Sequence, residues 1–241
     1  MIVGSGLMAR SLGPLFAGDK RVVVYAAGVS NSSCNDEREF RRERERLGEV
    51  LDSLAANTTI VYLSTCSIYD PAARGNLYVA HKLAMEEWLR NRPRHLILRL
   101  PQVAGITPNP HTLLNYLHAR ISRSERFQVW GNASRNVVDA DDVAAIARSI
   151  VDRGICGQTI NIAAPRSHSI LEIVTAMEGA IGKSAVFDLV DDGASYRIDV
   201  PAVADIQRSV PHVFAENYLL DVLRKYYGGN PLRKAGVVAF A

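Results

Sequence analysis

Long hydrophobic runs and an excess of charge are both missing from this sequence. No apolar stretch reaches the roughly 20 residues that cross a bilayer, and the amino terminus lacks a basic region followed by an apolar segment and a cleavage site. The formal net charge of +3 is small for 241 residues, and basic residues are mixed with acidic ones. We therefore expect a soluble, cytoplasmic protein that binds neither nucleic acid nor a membrane.

Cysteine is also scarce, and its spacing indicates neither a disulfide framework nor a metal site. Cys34, Cys66 and Cys156 are odd in number and lie far apart along the chain. The six histidines show no ligand spacing either. This composition suits a reducing compartment, and we expect no bound metal.

Hydrophobic residues make up 48% of the chain, enough for one good-sized core with a small lobe beside it. Strand-length apolar runs alternate with segments of helical period almost from end to end. This alternation predicts an α/β fold with a Rossmann-like parallel sheet and helices on both of its faces. The predicted strands are 2–4, 21–27, 58–63, 95–100 and 159–162. The predicted helices are 7–16, 36–56, 76–90, 112–122, 141–152, 169–181 and 215–227.

Two of these predicted elements have unusual sequences. Only Met1 to Val3 precede Gly4, whereas a buried strand usually has about 5 or 6 residues. Either the true start lies upstream or the first strand is stunted. The segment from Asp36 to Arg46 carries five acids and five bases, which is typical of the solvated face of a helix.

A glycine-containing turn follows the first predicted strand. Gly4, Gly6 and Ala9 form G-x-G-x-x-A, with Leu7 and Met8 inside the same turn. Between a strand and a helix, such glycines let the pyrophosphate of a dinucleotide approach the helix amino terminus. The alternative is a tight turn without a ligand. The usual companion, an acid about 20 residues downstream that binds the adenosine ribose, is missing, so the adenosine half of the site looks abbreviated.

A second motif combines a phenol, an ammonium group and hydroxyls. Tyr78 and Lys82 form Y-x-x-x-K, and on a helix this spacing places them on one face, about 6 Å apart at Cβ. A neighbouring ammonium lowers the pKa of a phenol and so prepares it for proton transfer. Ser64, Thr65 and Ser67 end the preceding strand, where ligands collect in parallel sheets. The alternatives are that Tyr78 and Lys82 are an ordinary surface pair and that the Ser and Thr residues only form a turn.

Taken together, these residues resemble a known family. Y-V-A-H-K at 78–82 and S-T-C-S-I-Y at 64–69 are similar to the extended short-chain dehydrogenase/reductases, also called the NAD-dependent epimerase/dehydratase family, which modifies nucleotide sugars. The resemblance implies that Thr65, rather than Ser64, is the catalytic hydroxyl and acts with Tyr78 and Lys82. It also implies that Tyr78 and Lys82 contact an NAD or NADP cofactor.

Other segments extend the resemblance over most of the chain. V-V-V-Y-A-A-G at 22–28 resembles the family strand that ends beside the cofactor, and L-R-L-P-Q-V-A-G at 98–105 resembles the segment between nicotinamide and nucleotide sugar. R-N-V-V-D-A-D-D-V at 135–143 resembles the segment whose Arg holds the substrate diphosphate. The cofactor contacts implied in this way are Gly4, Gly6, Leu7, Met8, Ala26, Ala27, Gly28 and Pro101. The substrate contacts implied are Cys66, Ser67, Gln102 and Arg135.

Four features depart from the family pattern or leave alternatives open. The loop between Thr65 and Tyr78 is short, and the region of the second and third family strands is nearly absent. Cys66 could equally be an inert core residue. Arg135 could simply pair with Asp139 or Asp141.

The resemblance implies a cofactor-binding part formed by residues 1–100 and 134–162. A substrate lobe would comprise residues 101–133 and 163–241. The implied activity is NAD(P)-dependent reduction of a 4-keto group on a nucleotide-linked sugar. Dehydration is less favoured because the family's dehydratases place an acid/base pair where this chain has Cys66 and Ser67. The alternatives are an epimerase that retains NAD and a non-catalytic cofactor-binding regulator. The expected partners are the nucleotide sugar and, at most, a second copy of the chain as a homodimer.

Overall fold

The computed structural model describes residues 1–201 and 213–229. The positions of the predicted substrate lobe at 202–212 and 230–241 lie outside the described residues. The strands are β1 (Ile2–Val3), β2 (Val22–Tyr25), β3 (Thr59–Thr65), β4 (His95–Leu100), β5 (Gln102–Ala104), β6 (Phe127–Trp130), β7 (Ser134–Arg135), β8 (Val137–Asp139), β9 (Gln158–Asn161), β10 (His168–Ser169) and β11 (Phe187–Val190). The helices are α1 (Leu7–Phe16), α2 (Glu37–Ser53), α3 (Leu77–Arg90), α4 (Leu113–Ser122), α5 (Ala140–Asp152), α6 (Ile170–Ile181) and α7 (Tyr218–Tyr227).

A five-stranded parallel sheet in the order β1-β2-β3-β4-β9 forms the centre of the protein. Successive side chains of a strand point to opposite faces of the sheet. The side chains of β2 alternate between the two faces in this way. Val22 and Val24 pack with α1 and α5, whereas Val23 and Tyr25 pack with α2 and α3. Helices therefore cover both faces, and the predicted Rossmann-like fold is confirmed.

The sheet ends abruptly at β1. This strand has two residues, and only residues 17–21 separate α1 from β2, which pairs directly with β1. In the usual dinucleotide-binding order the first strand is followed on this side by two further strands. Neither is present in the described part of the chain, so β1 lies at the edge of the sheet there.

A second hydrophobic cluster lies apart from the two sheet faces. It joins α4, α6 and α7 to β6 through residues such as Leu117, Val129, Met177 and Leu223. β6 pairs in parallel with β11, which adds a small separate sheet. These elements fall mainly within the predicted substrate lobe, whose boundaries stay a prediction.

Each helix and strand expected from the sequence is present, with ends that differ by a few residues. The short strands β5, β6, β7, β8, β10 and β11 had not been predicted. No helix within residues 1–201 and 213–229 is long and apolar enough to cross a membrane.

Candidate functional site

A cleft of about 650 Å³ opens at the carboxyl ends of the sheet strands. Ser5 follows β1, Ala26 follows β2, Thr65 ends β3 and Pro101 follows β4, and all four line the cleft. Ligands collect at this edge in parallel sheets because loops and helix amino termini converge there. The predicted site residues that line the cleft are Gly6, Leu7, Met8, Ala26, Ala27, Gly28, Thr65, Ser67, Tyr78, Lys82, Pro101 and Gln102.

The glycine turn leaves the amino terminus of α1 open to the cleft. Gly4 has φ +126°, and a Cβ there would lie 2.4 Å from the carbonyl oxygen of Ala26, so only glycine allows this close approach. At Gly6 a Cβ would meet nothing within 4 Å. No side chain caps α1, and its first turn has no acid. Its free N–H groups and positive dipole end therefore suit an anionic group such as a pyrophosphate.

Thr65 and Tyr78 meet because a strand end and a helix start face each other. Asn76 caps α3 by accepting hydrogen bonds from the backbone N–H groups of Tyr78 and Val79 at 2.8 and 3.3 Å. This cap places Tyr78 in the first turn, and both Tyr78 and Thr65 line the cleft. The Thr65 hydroxyl also accepts a hydrogen bond from the Ser67 backbone N–H at 3.0 Å.

The protein's own groups keep the Tyr78 phenol protonated. Burial raises the pKa of Tyr78 to about 12, although the hydrogen bond with Thr65 acts in the opposite direction. The nearby negative charge of Glu43 raises the pKa further. The Lys82 ammonium lies 5.9 Å from the centre of the Tyr78 ring. Burial and Glu43 therefore raise the pKa of Tyr78 in the protein alone, and the tuning of Tyr78 by Lys82 stays a prediction for the cofactor-bound site.

Behind this pair lies a buried carboxylate that sequence reasoning missed. The side chain of Glu43, on α2, has no exposed surface and accepts hydrogen bonds at both of its oxygens. The Tyr62 hydroxyl at 2.6 Å and the Lys82 ammonium at 3.0 Å donate to Oε1. The Val29 backbone N–H at 2.7 Å donates to Oε2, and His81 Nε2 lies 3.0 Å from that oxygen.

The charged segment that contains Glu43 is thus only partly solvated, which corrects the prediction made for 36–46. Glu43 precedes the buried residues Leu47 and Val50 at helical spacing, so it belongs to the apolar stripe of α2. The helical spacing of Glu43 with these apolar residues was the feature of the sequence that could have indicated its burial. Burial alone would raise the pKa of Glu43, but bonding to His81 and the charge of Lys82 hold it at about 2.

Burial shifts the pKa of Lys82 in the opposite direction from that of Glu43. Burial lowers the pKa of Lys82, and the charge and hydrogen bond of Glu43 oppose that shift. Lys82 also donates to the Tyr62 hydroxyl at 3.2 Å. Two of the three ammonium protons are thus used within the protein, which leaves one for a ligand in the cleft.

The expected substrate contact at Cys66 is not supported by its position. Cys66 is fully buried and packs with Ala163 and Ile198, away from the residues that line the cleft. Burial raises the pKa of its thiol to about 12, so the group stays a neutral thiol at neutral pH. This arrangement fits the alternative interpretation, in which Cys66 is an inert core residue.

Arg135 lies outside the lining of the cleft and already has an acidic partner. Its guanidinium is 3.2 Å from Asp70 Oδ2, and it lies 5.7 Å from the centre of the Tyr196 ring. The alternative of a pair with Asp139 or Asp141 is wrong, because both of these carboxylates accept hydrogen bonds from Lys225 at 2.7 Å. The role of Arg135 toward a diphosphate stays a prediction.

Comparison with known structures finds the same fold in nucleotide-sugar enzymes. A dTDP-4-dehydrorhamnose reductase from Clostridium acetobutylicum has a TM-score of 0.71 at 13% identity, over 93% of this chain and 96% of that chain. A UDP-glucose 4-epimerase from Bifidobacterium longum, in complex with NAD+ and UDP, has a TM-score of 0.69 at 16% identity, over 97% and 83%. A dTDP-glucose 4,6-dehydratase from Bacillus anthracis, in complex with NAD, has a TM-score of 0.69 at 14% identity, over 97% and 80%.

Sequence comparison identifies the family directly. A search of curated proteins found no match. The family model of the NAD dependent epimerase/dehydratase family matches residues 16–163, which is more than half of the chain and includes Thr65, Tyr78 and Lys82. The chain belongs to the NAD dependent epimerase/dehydratase family.

Proposed function

We propose that the protein is an NAD(P)-dependent oxidoreductase that reduces the 4-keto group of a nucleotide-linked sugar. The observation that carries this proposal is the convergence of Thr65, Tyr78 and Lys82 in the cleft that also receives the open amino terminus of α1. A non-catalytic binding protein would have no evident need for this set of groups.

The residues that line the cleft fit a nicotinamide dinucleotide. The uncapped end of α1 at Gly6 would hold the pyrophosphate, Ala26 and Ala27 would lie beside the cofactor, and Pro101 would contact the nicotinamide. The bound cofactor would supply the hydride that the carbonyl carbon accepts. Lys82 would use its one remaining proton to bind a ribose hydroxyl.

Two side chains would act on the oxygen of the reacting carbonyl. Tyr78 would donate its phenolic proton as negative charge develops on that oxygen, and Thr65 would stabilise the same charge with a hydrogen bond. A raised pKa keeps Tyr78 in the protonated form that a donor needs. The phenolate left after transfer would require positive charge nearby, which Lys82 and an oxidised nicotinamide both supply.

The ionisable groups of the cleft favour reduction over dehydration. Among the described residues no Asp or Glu lines it, and the ionisable side chains there are Arg10, Tyr78, Lys82 and His111. Elimination of water from a sugar needs an acid and a base beside the Thr65 hydroxyl. The neighbours of Thr65 are the buried thiol of Cys66 and the hydroxyl of Ser67, which do not titrate near neutral pH.

The nucleotide part of the substrate would bind on the side of Gln102 and Arg135. Gln102 lines the cleft directly after Pro101. Arg135 would have to exchange its partner Asp70 for the diphosphate, which a guanidinium can bind through two parallel hydrogen bonds.

Mass spectrometry of the denatured protein, combined with turnover assays, tests the proposal. We expect an exchangeable cofactor, and oxidation of NADH or NADPH when a panel of nucleotide-linked 4-keto sugars is added. Tightly retained NAD with interconversion of sugars and no net oxidation would replace the reductase by an epimerase. Absence of cofactor binding would refute the oxidoreductase proposal altogether.

A further inference from the structure

The strongest unexplained feature of the site is the carboxylate beneath its Tyr-Lys pair. We propose that Glu43 is a positioning residue, whose carboxylate anchors the Lys82 ammonium, directs its remaining proton into the cleft and preserves its charge. The catalytic consequence rests on the proposed function, whereas the anchoring of Lys82 can be tested without it.

The geometry leaves Lys82 little freedom. Its ammonium is held by Glu43 Oε1 at 3.0 Å and by the Tyr62 hydroxyl at 3.2 Å. A Cβ at Gly28 would lie 2.6 Å from Lys82 Nζ and 2.7 Å from Glu43 Oε1. Glycine at position 28 therefore allows the ion pair to reach the floor of the cleft, directly beside the residues assigned to the cofactor.

Glu43 is itself fixed by its surroundings. Besides Lys82 and Tyr62 it binds the Val29 backbone N–H and His81, and its own carbonyl oxygen accepts from the Tyr25 hydroxyl at 3.0 Å. No buried polar side-chain atom among the described residues lacks a partner. The carboxylate is thus bonded by the segment after β2, by β3 and by α3 at once, so it can define where Lys82 stands.

Several charged and titratable groups surround the Glu43 carboxylate. From α3, Lys82 and His81 contact it and Tyr78 lies nearby. From β3 the Tyr62 hydroxyl donates to it, whereas the Tyr25 hydroxyl on β2 donates to the backbone carbonyl of Glu43. In a buried site an ammonium without a counter-ion releases its proton readily. Glu43 opposes that release, and Glu86, also on α3, opposes it less strongly. Removing the Glu43 charge therefore leaves Lys82 neutral at a lower pH.

Nuclear magnetic resonance of protein labelled at the lysine ε-carbon measures this charge directly. The chain has few lysines, Lys20, Lys82, Lys183, Lys225 and Lys234, and a Lys82→Arg variant assigns the resonance. In Glu43→Gln we expect Lys82 to titrate at least one pH unit lower than in the wild type. The matched control is Glu86→Gln, which removes another fully buried carboxylate, paired with Arg99, and should shift Lys82 much less. An unchanged Lys82 titration in Glu43→Gln overturns the proposal.

The catalytic arm compares pH profiles of turnover and cofactor binding. We expect Glu43→Gln to lose at least tenfold in cofactor affinity and to move the pH dependence of kcat/KM, because a neutral Lys82 no longer supports the Tyr78 phenolate. An active wild type with an unchanged profile in the variant contradicts the inference. A wild type that reduces no nucleotide-linked sugar, but whose Lys82 shifts as expected, contradicts the proposed function and leaves the anchoring intact.

A double variant covers the case in which Glu43→Gln does not fold. If Glu43 and Lys82 are an obligate pair, Glu43→Gln combined with Lys82→Met should melt at a higher temperature than either single variant, because it leaves no unpaired buried charge. A double variant no more stable than the singles shows that the two side chains are not coupled.

Discussion

The Glu43 carboxylate and the Lys82 ammonium form an ion pair of 3.0 Å with both side chains buried beneath the cleft. They come from different helices, α2 and α3, and neither is a neighbour of the other in sequence. A buried pair costs free energy to desolvate, and removing one partner leaves the other charge uncompensated. Substitution of either partner should therefore affect both stability and activity.

Tyr78→Phe should lower turnover by at least about 100-fold and leave cofactor affinity nearly unchanged, because the hydroxyl acts in the transition state. Steady-state kinetics and a calorimetric cofactor titration measure the two effects. Tyr116→Phe, which removes an exposed phenol from α4, is the control and should behave like the wild type. A Tyr78→Phe variant that keeps more than about a tenth of the wild-type rate would remove Tyr78 from its proposed role.

Lys82→Ala should weaken cofactor binding and also destabilise the protein by about 3 to 5 kcal/mol, because it strands the Glu43 carboxylate. Urea unfolding measures the second effect. Lys183→Ala, which alters a lysine hydrogen-bonded to the Ser122 carbonyl at the surface, controls for the loss of an ammonium group. Unchanged cofactor affinity in Lys82→Ala would show that the proposed ribose contact is wrong.

The stability of the wild type should fall as the pH drops from about 4.5 toward 2. The pKa of Glu43 is 4.5 before folding and about 2 in the folded protein. Since the folded pKa is the lower one, the stabilisation is complete above 4.5 and is lost on protonation below it. A shift of this size corresponds to about 3 kcal/mol.

Urea unfolding at pH 7 and pH 3 should thus show a smaller pH effect in Glu43→Gln than in the wild type. Asp19, whose pKa is lowered by its hydrogen bonds to Arg21 and Arg148, contributes in the same direction. Its contribution is common to both proteins and cancels in the comparison. Equal pH effects in wild type and variant would mean that the Glu43 carboxylate is not held in its ionised form.

The edge position of β1 predicts weak and poorly selective cofactor binding. With no further strand beside β1 in the described chain, no strand-end acid is available for the adenosine ribose. We expect affinities weaker than low-micromolar. We also expect the affinities for NADH and NADPH to differ by less than about tenfold. A single hydrogen bond to a charged group would supply roughly that factor. Calorimetry with both cofactors and with nicotinamide mononucleotide checks this, and low-micromolar or tighter binding by either dinucleotide contradicts it.

Arg135→Lys should impair substrate binding even though it keeps the charge. A lysine cannot reproduce the two parallel hydrogen bonds that a guanidinium makes to a diphosphate, so a loss of about 1.5 to 3 kcal/mol, or roughly 10- to 150-fold in Kd, is expected. Binding of UDP, GDP, CDP and dTDP to both proteins measures it. If none of these binds the wild type, the nucleotide-sugar part of the proposal fails.

The control for Arg135 is Arg120→Lys, because Arg120 also pairs with a carboxylate, Glu125, and also lies over a tyrosine ring. Both variants should melt at slightly lower temperatures than the wild type. Only Arg135→Lys should lose nucleotide affinity. Equal effects of the two substitutions on nucleotide binding would indicate that the Arg135 role is structural.

The sequence by itself determined the alternation of strands and helices, and with it the parallel sheet. It also placed Tyr78 and Lys82 one helical turn apart and Thr65 at a strand end. These features depend on local periodicity, in which a residue's face follows from its position along one element. The abbreviated region before β2 was visible for the same reason, since residues 17–21 are too few to hold two more strands.

Only the tertiary structure decided which groups surround Tyr78 and Lys82. Glu43 looked like one acid among many in a charged helix; its helical register with Leu47 and Val50 hinted at burial, but only the packing of α2 against β3 and α3 showed its partners Lys82 and Tyr62. The same holds for Cys66, which packs into the core, and for Arg135, whose partner Asp70 lies far from it in sequence. Contacts between distant segments depend on how whole elements pack, and the magnitude and direction of pKa shifts depend on those contacts rather than on local spacing.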